Sequence, residues 1–169
     1  EISRDYGVKV MIDSNGMIIY QLTNTANSKV GKHEISTGRE NAKIKLADGS
    51  VVILNSQSSL SYPIQFLKES NREVSLKGEG YFDVASNPNS PFVVLSNKQK
   101  IEVLGTKFNV NTYNLNKSIT TLTEGKIKIS NGKYTKILYP GEEAYNDGDN
   151  LEIKESRNDQ VLGWMEGNF

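Results

Sequence analysis

Apolar and polar residues alternate with a period of two through most of this chain, and that alternation restricts its folding more than any other feature. A two-residue period puts every second side chain on one face of a strand and cannot lay a continuous stripe along a helix. Ile44 and Leu46 alternate with lysines up to Asp48-Gly49, a dipeptide that tolerates the positive φ of a tight turn, and Val51 to Leu54 follows as a strand apolar on both faces. Val74 and Leu76 alternate with polar neighbours before the Gly78-Glu79-Gly80 break, as Phe82 and Val84 do after it. Ile127 and Ile129 alternate with Lys126 and Lys128, and Leu151 and Ile153 with Glu152 and Lys154. Near the start, Val8, Val10 and Ile12 precede Asp13-Ser14-Asn15-Gly16, with Ile18 and Tyr20 beyond, which signals a hairpin. Only the end reads as helix: Asn158 or Asp159 is placed to cap a short one carrying Val161, Leu162, Trp164 and Met165, with Trp164 docked on the sheet edge. The pattern predicts an all-β fold, either two packed sheets in the manner of a β-sandwich or jelly roll or a solenoid-like stack of hairpins, plus a short C-terminal helix.

One segment changes parity. Ile101 and Val103 are odd-numbered, whereas Phe108, Val110 and Thr112 are even, so Gly105-Thr106 must absorb a residue. A bulge with a left-handed glycine, or a kink where the strand moves between sheets, does that. The same alternation predicts Phe82, Phe92, Phe108 and Val110 as core.

At 169 residues, with no Gly/Ser linker or low-complexity block, the chain reads as one main domain at residues 33–155. Residues 1–32 form an appendage with the hairpin signal, and 156–169 carry the helix. Basic and acidic residues number 20 each, which leaves no electrostatic excess to hold nucleic acid or an anionic membrane. Cysteine is absent, excluding disulfides, thiolate zinc sites and a cysteine nucleophile. The chain opens on Glu1 and has no apolar stretch long enough for a bilayer, so it is expected to be a soluble piece of something longer.

Few residues invite a chemical reading. Glu79 and Asp83 are a conceivable glycosidase pair, but Glu79 is better read as a structural carboxylate near a turn, accepting backbone N–H groups or pairing with Arg72. Gly78-x-Gly80 lacks the third glycine and the helix of a nucleotide loop. His33, the single histidine, stands between Lys32 and Glu34 and reads as solvated. Asp147-Gly148-Asp149-Asn150 lacks the register of a calcium loop and reads as a hairpin turn. The aromatics Tyr62, Tyr81, Phe82, Phe92, Phe108, Tyr113 and Trp164 fit either a sugar-binding face or a core, and strand spacing favours the core for most of them.

Several sequence blocks follow one another along the chain: Leu76-Lys77-Gly78-Glu79-Gly80-Tyr81-Phe82-Asp83-Val84 and Val103-Leu104-Gly105-Thr106-Lys107-Phe108-Asn109-Val110 at the centre, Leu46-x-Asp48-Gly49-Ser50 to Leu54-Asn55 and Arg72 before them. Thr121-Leu122-x-Glu124-Gly125, Leu138-x-Pro140-Gly141 with Ala144, and Trp164-x-x-Gly167 come after. Together they resemble the periplasmic domain of FecR-type anti-sigma factors. Gly80 and Ser50 stand where that family has alanine and threonine. The resemblance implies a domain that senses and does not catalyse, without catalytic, cofactor-binding or metal-binding residues and without a small-molecule substrate. It implies the periplasmic part of a single-pass inner-membrane protein, with the 156–169 helix leading to a C-terminal domain, receiving a signal from the N-terminal signalling domain of a TonB-dependent outer-membrane transporter. The signal would reach an extracytoplasmic-function sigma factor through a cytoplasmic segment. The alternatives are a carbohydrate-binding β-sandwich, marked by an outward aromatic row, and a glycosidase, marked by two carboxylates in a cleft. Arg72 is expected to hold Asp48 or Glu79 at a turn through a bidentate fork.

Overall fold

The structure is a computed structural model and describes residues 3–5, 8–14, 18–22, 31–156 and 163–165. Among the described residues, seventeen strands build two sheets facing each other across one core. The larger sheet holds, in chain order, β1 (Ser3–Asp5), β2 (Val8–Ile12), β3 (Ile18–Leu22), β5 (Ala42–Lys45), β6 (Val51–Leu54), β9 (Glu79–Asp83), β12 (Lys107–Asn111), β13 (Ser118–Glu124), β16 (Glu142–Asn146) and β17 (Leu151–Glu155), and these neighbour one another in that order. The smaller runs β15 (Thr135–Leu138), β14 (Ile127–Ser130), β11 (Gln99–Val103), β10 (Phe92–Ser96), β8 (Arg72–Lys77), β7 (Ser59–Pro63) and β4 (Lys32–Ser36). Two pairs are parallel, β3 with β5 and β8 with β10, and the other pairings are antiparallel. The two-sheet alternative is therefore the one realised.

Register turns the alternation into a core. Ile44, Val52, Phe82, Phe108 and Leu122 are successive partners across five strands of the large sheet, and all are fully buried. Facing them, Val74, Val94, Ile101 and Ile129 make the equivalent row of the small sheet. Phe82 and Phe108 stack with ring centroids 5.1 Å apart, and Phe92 meets Phe82 edge-on. Strand β6, read as apolar on both faces, has Val52 and Leu54 buried inward and Val51 and Ile53 half-buried outward.

The chain builds the sandwich by repeatedly crossing from one sheet to the other, and the parity change is one such crossing. Strand β11 lies in the small sheet and β12 in the large one, so Leu104 to Thr106 is the kink between sheets. Gly105 is not left-handed; glycine is required because a Cβ there would sit 2.8 Å from the Ser86 Cα. Gly78 makes the β8 to β9 crossing with φ +86°, and a Cβ would collide with Ser58.

The hairpin expected in the appendage is present as β2 and β3, which extend the large sheet through β5; Asn15 and Gly16 of its turn lie outside the described residues. No helix occurs among the described residues, and so none long and apolar enough to cross a membrane. Of the stretch read as a C-terminal helix, Asn158, Asp159, Val161 and Leu162 lie outside the described residues, and Gly163 to Met165 form a turn.

Candidate functional site

Two polar constellations stand out, one closing the core and one on an outer face. The first centres on Arg72, the opening residue of β8, which is 2% exposed. Its Nε donates to the Ser90 carbonyl at 2.7 Å, Nη1 to the Ala85 carbonyl at 2.7 Å and to Asp48 Oδ2 at 2.8 Å, and Nη2 to the Leu104 carbonyl at 3.3 Å. The guanidinium lies 5.4 Å from the Phe92 ring centroid. Asp48 is ready for it because the β5–β6 turn, with Gly49 at φ +86°, lets its carboxylate accept the Ser50 N–H and hydroxyl. Ser50 Oγ in turn accepts the Ala85 N–H at 2.9 Å. Of the two expected partners Asp48 is the one used, through a single hydrogen bond and not a bidentate fork, because the remaining donors go to backbone carbonyls. Inward orientation makes Arg72 a clasp for three loops, β5–β6, β9–β10 and β11–β12, and removes it from the surface.

The second constellation is a cleft of about 810 Å³ on the outer face of the large sheet. Its floor follows from parity: the residues that alternate with the buried Phe82, Phe108, Leu122 and Ala144 point outward. Glu79, at the start of β9 and 8% exposed, accepts the Asn55 side-chain amide at Oε2 and the Asn109 amide at Oε1, both at 2.9 Å. Glu143 on β16, equally buried, accepts the Thr121 and Ser156 hydroxyls at Oε1 and the Tyr145 hydroxyl at Oε2. Asn109 and Thr121 are direct register partners on β12 and β13, so the two carboxylates flank them. Trp164 lines the same cleft, 7% exposed, with its carbonyl accepting from Asn41 at 3.5 Å; it lies on the sheet's outer face and not on its edge. Tyr113 also lines it, donating to the Ser56 carbonyl. Glu79 thus pairs with amide side chains, not with Arg72 or with backbone N–H groups.

Other sequence candidates scatter. Asp83 shares the outer face of β9 with Glu79 but is four residues along it, about 13 Å at strand rise, beyond the separation of a glycosidase pair. Tyr81, between them, meets the Thr123 hydroxyl at 3.3 Å. Thr106 and Gly125 meet at the β13 to β14 crossing, where the Thr106 hydroxyl donates to the Lys126 carbonyl at 3.2 Å. Pro140 and Gly141 form the turn into β16, with Gly141 at φ +87°. His33 is half-buried, edge-on to Tyr62, and not simply solvated. Asp147 turns the β16–β17 hairpin, and hydrogen bonds from Asn150 and Asp149 hold its carboxyl below the ordinary aspartate range. No group of three or more potential metal ligands occurs among the described residues. Glu143 and Tyr145 were missed, although their alternation with Ala144 and Asn146 marks them as outward.

Two sheets around one core, closed by a buried arginine and carrying a polar cleft outside, define a β-sandwich domain. The chain belongs to the FecR family: residues 33–128 match the family described as FecR protein. Two crystal structures of "a putative anti-sigma factor" from Parabacteroides distasonis ATCC 8503, at 2.50 and 1.65 Å resolution, are similar to it. Each is 30% identical, with TM-scores of 0.75 and 0.74, over 81% and 80% of this chain. The chain spans just under two thirds of those proteins, 66% and 65% of their length. No curated protein matches the chain.

Proposed function

We propose that this domain is the periplasmic sensor of a FecR-like anti-sigma factor in a single-pass inner-membrane protein. It relays a signal from a TonB-dependent outer-membrane transporter to an extracytoplasmic-function sigma factor by protein–protein contact. The observation that carries this reading is the FecR match, joined to 30% identity with a fold whose described role is anti-sigma. The architecture suits such work, because β4 and β15 end the small sheet and β17 the large one, and a sheet edge accepts a partner strand through main-chain hydrogen bonds. Strand β15 is flanked by exposed Tyr134 and Tyr139 and carries exposed Ile137, the apolar rim a partner strand would cover.

Cross-linking the domain in membranes, followed by mass spectrometry, tests the relay. A transporter signalling domain among the captured proteins is the expected result; capture limited to abundant unrelated proteins would remove it. The carbohydrate reading finds less support, because Trp164 is nearly buried and Lys154 covers the Tyr145 ring at 4.7 Å, so that of the cleft's rings only Tyr113 is exposed and no aromatic row faces outward there. Turnover of a glycan panel that disappears in Glu79→Gln would restore the glycosidase alternative.

A further inference from the structure

Three acceptor groups, Glu79, Asn109 and Glu143, lie together in the outer cleft. Asn109 is 2% exposed; its Nδ2 is committed to Glu79, and its Oδ1 has no partner. That oxygen sits in the strip between the Glu79 and Glu143 carboxylates, each of which is held by neutral donors. No lysine or arginine among the described residues makes an ion pair with either carboxylate. Two buried anions and an orphaned carbonyl oxygen in one cleft leave both charge and hydrogen-bonding capacity uncompensated, an arrangement that costs stability unless something supplies donors. Trp164 Nε1, buried in the wall, is a donor likewise without a partner. At the rim, the Lys154 ammonium lies over the Tyr145 ring and pairs with Glu152, so it is engaged with groups other than the two cleft carboxylates.

We propose that this cleft receives the guanidinium of an arginine on an extended peptide, through the Glu79, Asn109 and Glu143 acceptors, while Trp164 Nε1 donates to a carbonyl of the same peptide. A guanidinium has five donors fixed in a plane and no acceptor, the complement of three acceptor groups gathered in one cleft. An ammonium meets the same acceptors as a point charge with three donors and fits less well. A neutral sugar would answer the hydrogen bonds but not the charge. This chemistry is independent of the relay and holds whichever protein supplies the peptide.

The lone tryptophan makes the test direct, because a single indole N–H resonance reports on the cleft. The folded chain is titrated with acetyl-Gly-Arg-Gly-amide, with its citrulline and lysine counterparts, and with glucose, galactose and N-acetylglucosamine, while that resonance and Trp164 fluorescence are followed. The arginine peptide is expected to give a saturable shift with a Kd of about 1 mM, as fits one anchored side chain. Citrulline, equal in shape but neutral, should bind at least about tenfold more weakly, and Glu143→Gln should weaken the arginine peptide by a similar factor. Glu79→Gln should do the same if it folds; Glu143→Gln carries the test if it does not. An equal response to citrulline or a tighter one to lysine would overturn the proposal. So would saturation by a sugar alone, or no saturation with arginine while the protein stays folded.

Discussion

At the scale of single residues, Arg72 shows how one buried charge can be held without a matching bidentate partner. Its donors serve Asp48 and three backbone carbonyls that belong to turns and crossings far apart in sequence. Arg72→Ala should therefore cost about 3–5 kcal/mol, the scale of breaking a buried pair and stranding the other charge. Arg72→Lys keeps the charge but cannot reach four acceptors, and is expected to lose about 1–3 kcal/mol. Chemical denaturation of both variants measures this; a lysine variant as stable as the parent would show that charge, not the fork, matters. Glycine gives a second contrast. Gly78 at φ +86° faces Ser58, whereas Gly132 at φ +89° has open space around its missing Cβ. Gly132→Ala should cost about 1–2 kcal/mol for the left-handed backbone alone, and Gly78→Ala about 2–5 kcal/mol because overpacking adds to it. Equal melting shifts would show that the Ser58 contact relaxes freely.

At the scale of elements, strands pair through outward side chains as well as through the core. Glu102 on β11 bonds Lys100 at 2.9 Å on its own strand and Lys128 at 3.1 Å on β14, and Glu102 and Lys128 are register partners. Hydrogen bonds from Lys100 first, then Lys128, hold the Glu102 carboxyl below its ordinary value of 4.5. A carboxyl depressed in the folded state stabilises above its unfolded pKa, and that contribution disappears as pH falls through the folded value. The stability difference between the parent and Glu102→Gln should be about 0.5–1 kcal/mol at pH 7, smaller in high salt, and should vanish in acid below the ordinary glutamate range. A difference unchanged down to pH 2 would assign the loss to packing. Element identity was legible because alternation survives burial: the inward row from Ile44 to Leu122 is the row the period predicts. The parity change at Gly105 was legible as an irregularity, and its form was not, since a bulge and a sheet crossing leave the same trace in sequence. Glu143 escaped notice because an outward carboxylate on a strand reads as solvated until the Thr121, Tyr145 and Ser156 hydroxyls and Trp164 are seen around it.

At the scale of the molecule, both sheets share one hydrophobic cluster, and among the described residues neither has a second core to stand on. The large sheet also joins strands distant in sequence, since β6 pairs with β9 and β9 with β12. Such non-local pairing must close long loops before it gains contacts, so folding is expected on the millisecond-to-second scale typical of β-sandwiches. Trp164 adds an internal test of how far cooperativity reaches. It is the lone tryptophan and lies outside the core, on the outer face of the large sheet, at the C-terminal end of the chain. Its fluorescence reports docking of that end, whereas far-ultraviolet circular dichroism reports the strands. Burial of the indole and the bond from Asn41 to its carbonyl tie it to the sandwich, so the two probes should give one urea midpoint and one m-value, as two-state unfolding requires. An earlier fluorescence transition would mean that the segment bearing Trp164 undocks before the sheets separate, leaving the outer cleft without that wall in a state still fully folded by circular dichroism.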